Sequence, residues 1–171
     1  FHFDNYFKRT LHQPSGEITT LTAEESQRGF VVFQRDWMND VFYNDRPLPG
    51  EATEKLTEFS FAGEYELVTF SIVPLQDLGR VTVTASELQG AGASIPANAI
   101  DVGYVSYRVS RVTMEGSVYT IAPRFVMPRA SVAAPKDITR RFWLTVKVPA
   151  TVAPGLYRGT IKVASEKGGS L

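Results

Sequence analysis

The chain contains no cysteine, which excludes disulfide bridges and thiolate metal sites and leaves the redox compartment open. Histidine is nearly as scarce. His2 and His12 are the only two, both within the first dozen residues, where chains commonly fray. Neither stands beside a serine and an aspartate in a pattern that would build a nucleophilic triad. The spacings GxSxG, HExxH, GxxxxGKS/T and GxGxxG are missing as well, and with them the usual scaffolds for acyl transfer, zinc hydrolysis and phosphate binding. There is no net charge, since 18 Lys and Arg balance 18 Asp and Glu. Apart from the pair Arg140–Arg141 the basic residues are scattered, so nothing predicts a nucleic-acid or membrane partner. Long apolar runs are lacking too: GFVVF, residues 29–33, is far too short to span a bilayer. No charged segment followed by an apolar stretch opens the chain. These absences predict a chain without catalytic residues, cofactor or metal of its own.

What is present is alternation. At 171 residues one domain is expected, hiding roughly 70% of its unfolded surface. Val68, Phe70 and Ile72 oppose Thr69 and Ser71, and Val81, Val83 and Ala85 oppose Arg80, Thr82 and Thr84. Phe142, Leu144, Val146 and Val148 form a third inward row, while Tyr157, Ile161 and Val163 form a fourth. In VGYVSYRVS the pattern is read with Val105, Tyr107 and Val109 inward and Tyr104, Ser106 and Arg108 outward. Such period-two patterning belongs to antiparallel sheets with one dry face. Turn residues at 77–79, 88–94, 114–116 and 153–155 punctuate the runs. The fold predicted is all-β, an immunoglobulin-like antiparallel β-sandwich. One short N-terminal helix is added by TAEE, where Thr22 and Glu25 have capping-box spacing. Residues 1–26 read as an N-terminal extension, 27–164 as the sandwich and 165–171 as the start of a linker. Residues 44–54 and 127–137 read as long irregular loops. The first residue is Phe1 rather than methionine, from which a fragment is expected.

Several groups of residues carry side chains suited to chemistry. Glu64 and Glu66, two apart on a strand, would place their β-carbons roughly 6.5–7 Å apart on one face, within reach of a glycosidase pair. The same spacing suits a charged strand edge. Asp36, Asp40 and Asp45 crowd RDWMNDVFYND, yet the glycine and closing glutamate of an EF-hand are missing, so a solvated loop is expected. Trp143 falls on the outward side of its strand with Arg141, Thr145 and Lys147. A tryptophan there can anchor a neighbouring domain, stack on a sugar ring, or lie under a loop of its own chain. Trp37 and Tyr43 form a second aromatic group beside the NDRPLPGE loop, and Tyr104 a third candidate platform. The predicted binding or interface residues are therefore Trp143, Arg141, Trp37, Tyr43 and Tyr104.

Three stretches together carry a resemblance: RGFVVFQRDWMNDVFYNDRPLPGE, FAGEYELVTFSIVPLQDLGRVTVTASEL and RRFWLTVKVPATVAPGLYRGTIKV. Over residues 27–164 the chain resembles the N-terminal β-sandwich domain of large bacterial proteins related to β-N-acetylgalactosaminidases. The resemblance implies a following (β/α)₈ barrel that holds the catalytic carboxylates, so none of those is carried onto this chain. It also implies export to the periplasm, cell surface or medium, with the catalytic domain of the same polypeptide as partner and glycan as a possible ligand. The function expected is an accessory, non-catalytic module. The alternatives are an autonomous carbohydrate-binding module and a cell-surface adhesion or spacer domain.

Overall fold

In the computed structural model, which describes residues 7–112 and 116–171, the alternating rows close on each other as two packed sheets. The large sheet has six strands in the order β1-β8-β7-β10-β3-β2. These are β1 (Lys8–Arg9), β2 (Phe30–Phe33), β3 (Tyr65–Pro74), β7 (Ile100–Arg111), β8 (Val118–Met127) and β10 (Arg140–Lys147). The small sheet has the order β11-β4-β9, from β4 (Arg80–Ala85), β9 (Ser131–Ala133) and β11 (Ile161–Ser165). A separate two-stranded ribbon joins β5 (Leu88–Gln89) to β6 (Ser94–Ile95). All pairings are antiparallel except the short β1–β8 contact, which is parallel.

Between the sheets lies the main core. Phe30, Val32, Phe70, Ile72, Phe142, Leu144 and Val146 from the large sheet meet Val81, Val83, Val132 and Val163 from the small one. The Phe70 and Phe142 rings stack at 5.2 Å across the β3–β10 register. Truncating a ring so enclosed costs about 3–5 kcal/mol. The inward rows of β3, β4 and β10 are those expected from alternation.

β7 is reversed. Ile100, Val102 and Tyr104 pack on the core, whereas Val109, expected inside, is exposed. Both parities of β7 carry apolar residues, so its own pattern is ambiguous. The register with β10 decides, because Tyr104 lies opposite Phe142 and Val102 opposite Leu144, and directly paired residues share a face. Residues 127–137 are likewise not wholly loop, since Val132 enters the core from β9. At the other end of the chain, residues 166–171 fold back beside β11. The Val163 N–H donates to Leu171 O (2.8 Å) and the Leu171 N–H to Val163 O (2.9 Å).

α1 (Ala23–Arg28) forms where the capping box was read. The Glu25 N–H donates to Thr22 Oγ1 (3.1 Å) and the Thr22 N–H to Glu25 Oε2 (2.8 Å). Gly29, at φ 84, ends it in a left-handed conformation that favours glycine. The chain then enters β2, which is buried on both faces. Its second face meets a smaller core, where Val31, Phe33, Val41 and Val73 pack with Ile18 and Leu75. The outward face of the large sheet is therefore partly roofed by the N-terminal segment and the 34–53 loop.

Candidate functional site

The roofed face is where charge is concentrated. Arg35, just past β2, reaches the loop as a two-pronged clamp: Nε donates to Glu51 Oε1 and Nη2 to Glu51 Oε2, both at 2.8 Å. Parallel bonds of this kind are the strongest that arginine makes with a carboxylate. Arg35 Nη1 also lies 3.4 Å from Asp45 Oδ2. Asp45 is only 1% exposed and collects further donors. The Ser15 N–H (2.8 Å) and His12 Nε2 (2.9 Å) meet Oδ1, and the Phe42 N–H (2.8 Å) meets Oδ2. Burial pushes the Asp45 carboxyl up, but the Ser15 and Phe42 amides and His12 outweigh it and hold the group below its ordinary value. Glu51 shows the same balance, burial raising it and Arg35 pulling it below normal.

Asp45 was expected in a solvated loop; it is instead the buried centre of a latch. His12, expected in a frayed segment, stacks on Phe42 with ring centroids 3.7 Å apart and joins that latch. His2 lies outside the described residues. Asp36 turns outward and accepts from the Met38 N–H (2.7 Å). Among the described residues no three His, Cys, Asp or Glu side chains converge on a metal position.

Arg141 lies beneath the loop rather than open to a partner. It is buried, and donates to the carbonyls of Asn39 (2.5 Å), Asp36 (3.0 Å) and Arg35 (3.1 Å) and to Thr69 Oγ1 (3.0 Å). Its guanidinium also stands 5.9 Å from the Trp143 ring centroid. Trp143 is half-buried on the outward face, flanked by Thr69 and Gly103. Trp37 is exposed on a turn of the loop, and Tyr43 is half-buried with its ring edge-on to Tyr107 at 6.3 Å. Tyr104 was offered as an outward platform but packs on the core between the sheets. Trp143, Arg141 and Tyr43 thus share the outer face, while Tyr104 occupies the opposite one.

Among the described residues the most exposed aromatic rings lie elsewhere, at the end of the large sheet where Tyr65 pairs with Lys147. Phe59 is 74% and Phe61 64% exposed, their rings edge-to-face at 5.0 Å. Tyr65 is exposed beside them in sequence, with Lys147 Nζ 5.9 Å from its centroid. Glu58 accepts from Gln34 Nε2 (2.9 Å). Burial, then the charge of Glu66, raises its carboxyl. The carboxylate neighbour of Glu66 is thus Glu58, not only Glu64. The signal for this group was in EFSFAGEY, where aromatics recur at short intervals up to the first residue of β3. Bare rings near carboxylates suit stacking against an apolar ring face with hydrogen bonds at its rim.

The comparisons with known proteins agree with this architecture. Residues 39–165 match the family model described as the glycoside hydrolase 123 N-terminal domain. The fold is similar to that of a solved family 123 glycoside hydrolase from Clostridium perfringens, studied for glycolipid glycan hydrolysis. That match has a TM-score of 0.55 at 19% identity, covering 65% of this chain and 20% of that one. The chain thus corresponds to about a fifth of that enzyme's length. No curated protein matches it. With the family model spanning most of the chain, from the latch loop to the last strand of the small sheet, the chain belongs to the glycoside hydrolase 123 N-terminal domain family.

Proposed function

We propose that this chain is a non-catalytic accessory module of an exported glycoside hydrolase, packed on the catalytic domain of the same polypeptide and extending the surface that receives the glycan. The observation that carries this reading is the family match over residues 39–165, to a domain defined as one part of a larger hydrolase. The polar latch supports it, since Arg35, Asp45, Glu51 and Arg141 spend their hydrogen bonds on their own chain. The test compares the parent polypeptide with a version lacking this module, and assays the isolated chain on aryl glycosides. The isolated chain is expected to hydrolyse none of them, and deletion to lower the parent's kcat/KM or thermal stability. Hydrolysis by the isolated chain, or a deletion without effect, overturns the proposal.

A second reading, an autonomous carbohydrate-binding module, is favoured by the bare Phe59, Phe61 and Tyr65 rings. It requires the isolated chain to be retarded on a polysaccharide gel, and Phe59→Ser/Phe61→Ser to abolish the retardation.

A further inference from the structure

The large sheet continues well past the sandwich. β10 begins at Arg140, and its register with β7 runs from Ile100 to Tyr104. β7 and β8 stay paired as far as Arg111 and Tyr119. Beyond the bulge between Ser106 and Tyr107, the strand that pairs with this hairpin among the described residues is two-residue β1, through Lys8↔Val118 and Arg9↔Tyr119, while Tyr43 meets Tyr107 edge-on near its base. The hairpin is an arm, and it leaves apolar residues bare on both faces. Val109, opposite Ile121, is 72% exposed on the outward side. At the base of the arm Phe125, opposite Ser106 just before the bulge, is 61% exposed and points the other way, and Val112, directly after β7, is exposed as well. Between β1 and the arm runs an open groove of ≈ 430 Å³, lined by Phe7, Arg9, Val109, Tyr119 and Ile121.

The charge of the arm is one-sided. Its described residues and β1 carry Lys8, Arg9, Arg108, Arg111 and Arg124 and no carboxylate; Glu115 lies outside the described residues. In a chain with no net charge, such local excess attracts an acidic surface. Apolar residues on two faces select the shape of that surface. A flat lipid bilayer would cover one face, whereas a groove covers both. Arm-to-arm pairing of two copies would set arginine against arginine.

We infer that the β7–β8 arm inserts into an acid-rimmed, apolar-floored groove on the catalytic domain of the same polypeptide. This rests on the accessory-module reading, and adds to it the face that docks and the chemistry of its counterpart. Val109 and Phe125 fill the groove, while Arg108 and Arg124 meet carboxylates on its rim.

The experiment uses the full polypeptide and follows domain coupling by calorimetry and by chymotryptic cleavage between the domains. The wild type is expected to unfold in one transition. Arg108→Glu/Arg124→Glu is expected to split it in two and to speed cleavage about tenfold, as for a docked state whose opening is no longer opposed. Val109→Asp, an uncharged-to-charged change at an exposed site, is expected to do the same, and Arg108→Lys/Arg124→Lys to restore a single transition. Phe59→Ser/Phe61→Ser, at the far end of the sheet, is expected to leave coupling intact. If instead that aromatic variant splits the transition and the arm variants do not, the arm assignment falls while the packed module stands. Two independent transitions in the wild type would overturn both. Loss of sedimentation with phosphatidylglycerol vesicles, or of a concentration-dependent oligomer, with coupling unchanged would also overturn the docking assignment.

Discussion

Two regions of the large sheet have similar backbones and opposite surroundings. Over β2, β3 and the start of β10, the outward face is roofed by residues 11–20 and 34–53, and its arginines are buried against their own chain. Along the outer half of β7 and β8 Arg108 and Arg124 stand at the surface, and Val109 and Phe125 remain bare. The difference teaches what each arginine is for. Arg35 and Arg141 replace water with carbonyls and carboxylates of one loop, so they fix a shape. Arg108 and Arg124 keep their charge at the surface, where it can steer a partner.

The sharpest way to break the comparison is to remove a buried clamp. Arg35→Ala leaves Glu51 and the buried Asp45 without their cation, and is expected to cost about 3–5 kcal/mol, read from the urea midpoint of the isolated chain. An effect no larger than that of a surface change would show that water replaces the guanidinium, and that the loop is not latched.

A smaller effect comes from pH. Asp45 and Glu51 both ionise more readily in the fold than at their ordinary values of 3.8 and 4.5. For groups lowered in this way, the stability gained is complete above the unfolded value and disappears as pH falls through the folded one. The chain should therefore keep its latch above about pH 5 and lose stability progressively below the ordinary values. Asp45→Asn is expected to cost about 1.5–3 kcal/mol at pH 7 and to flatten this acid slope, measured as thermal midpoint against pH. An unchanged slope would place the acid-sensitive groups elsewhere.

The smallest effect sharpens the contrast from the other side. Arg108→Ala on the bare arm should change the stability of the isolated chain by no more than about 0.5 kcal/mol, in the same urea titration. A loss comparable to that of Arg35→Ala would mean that the arm is held from within the chain.

Much of this was legible from alternation alone. The inward rows of β3, β4 and β10, the capping box at Thr22 and Glu25, and the outward side of Trp143 needed no tertiary information, because polar residues such as Thr69 and Ser71, Thr82 and Thr84, and Arg141 and Thr145 mark the outward parity, and the cap is a local spacing. β7 was misread because both parities carry apolar side chains, and Tyr104 with it. The burial of Asp45 and Arg141 was not legible at all. Their partners lie 30 residues away at Ser15, 33 at His12, and 102, 105 and 106 at Asn39, Asp36 and Arg35.

Pleated layers were already written into the order of the residues, because dyad spacing turns alternate side chains to opposite sides whatever the rest of the chain does. Which sides stay wet was settled by packing between distant segments. That choice depends on which distant loop lies over which face, and on whether a buried charge finds its counter-charge there: a roof closed by Arg35 and Arg141 over one half of the sheet, and an exposed Val109 and Phe125 on the other.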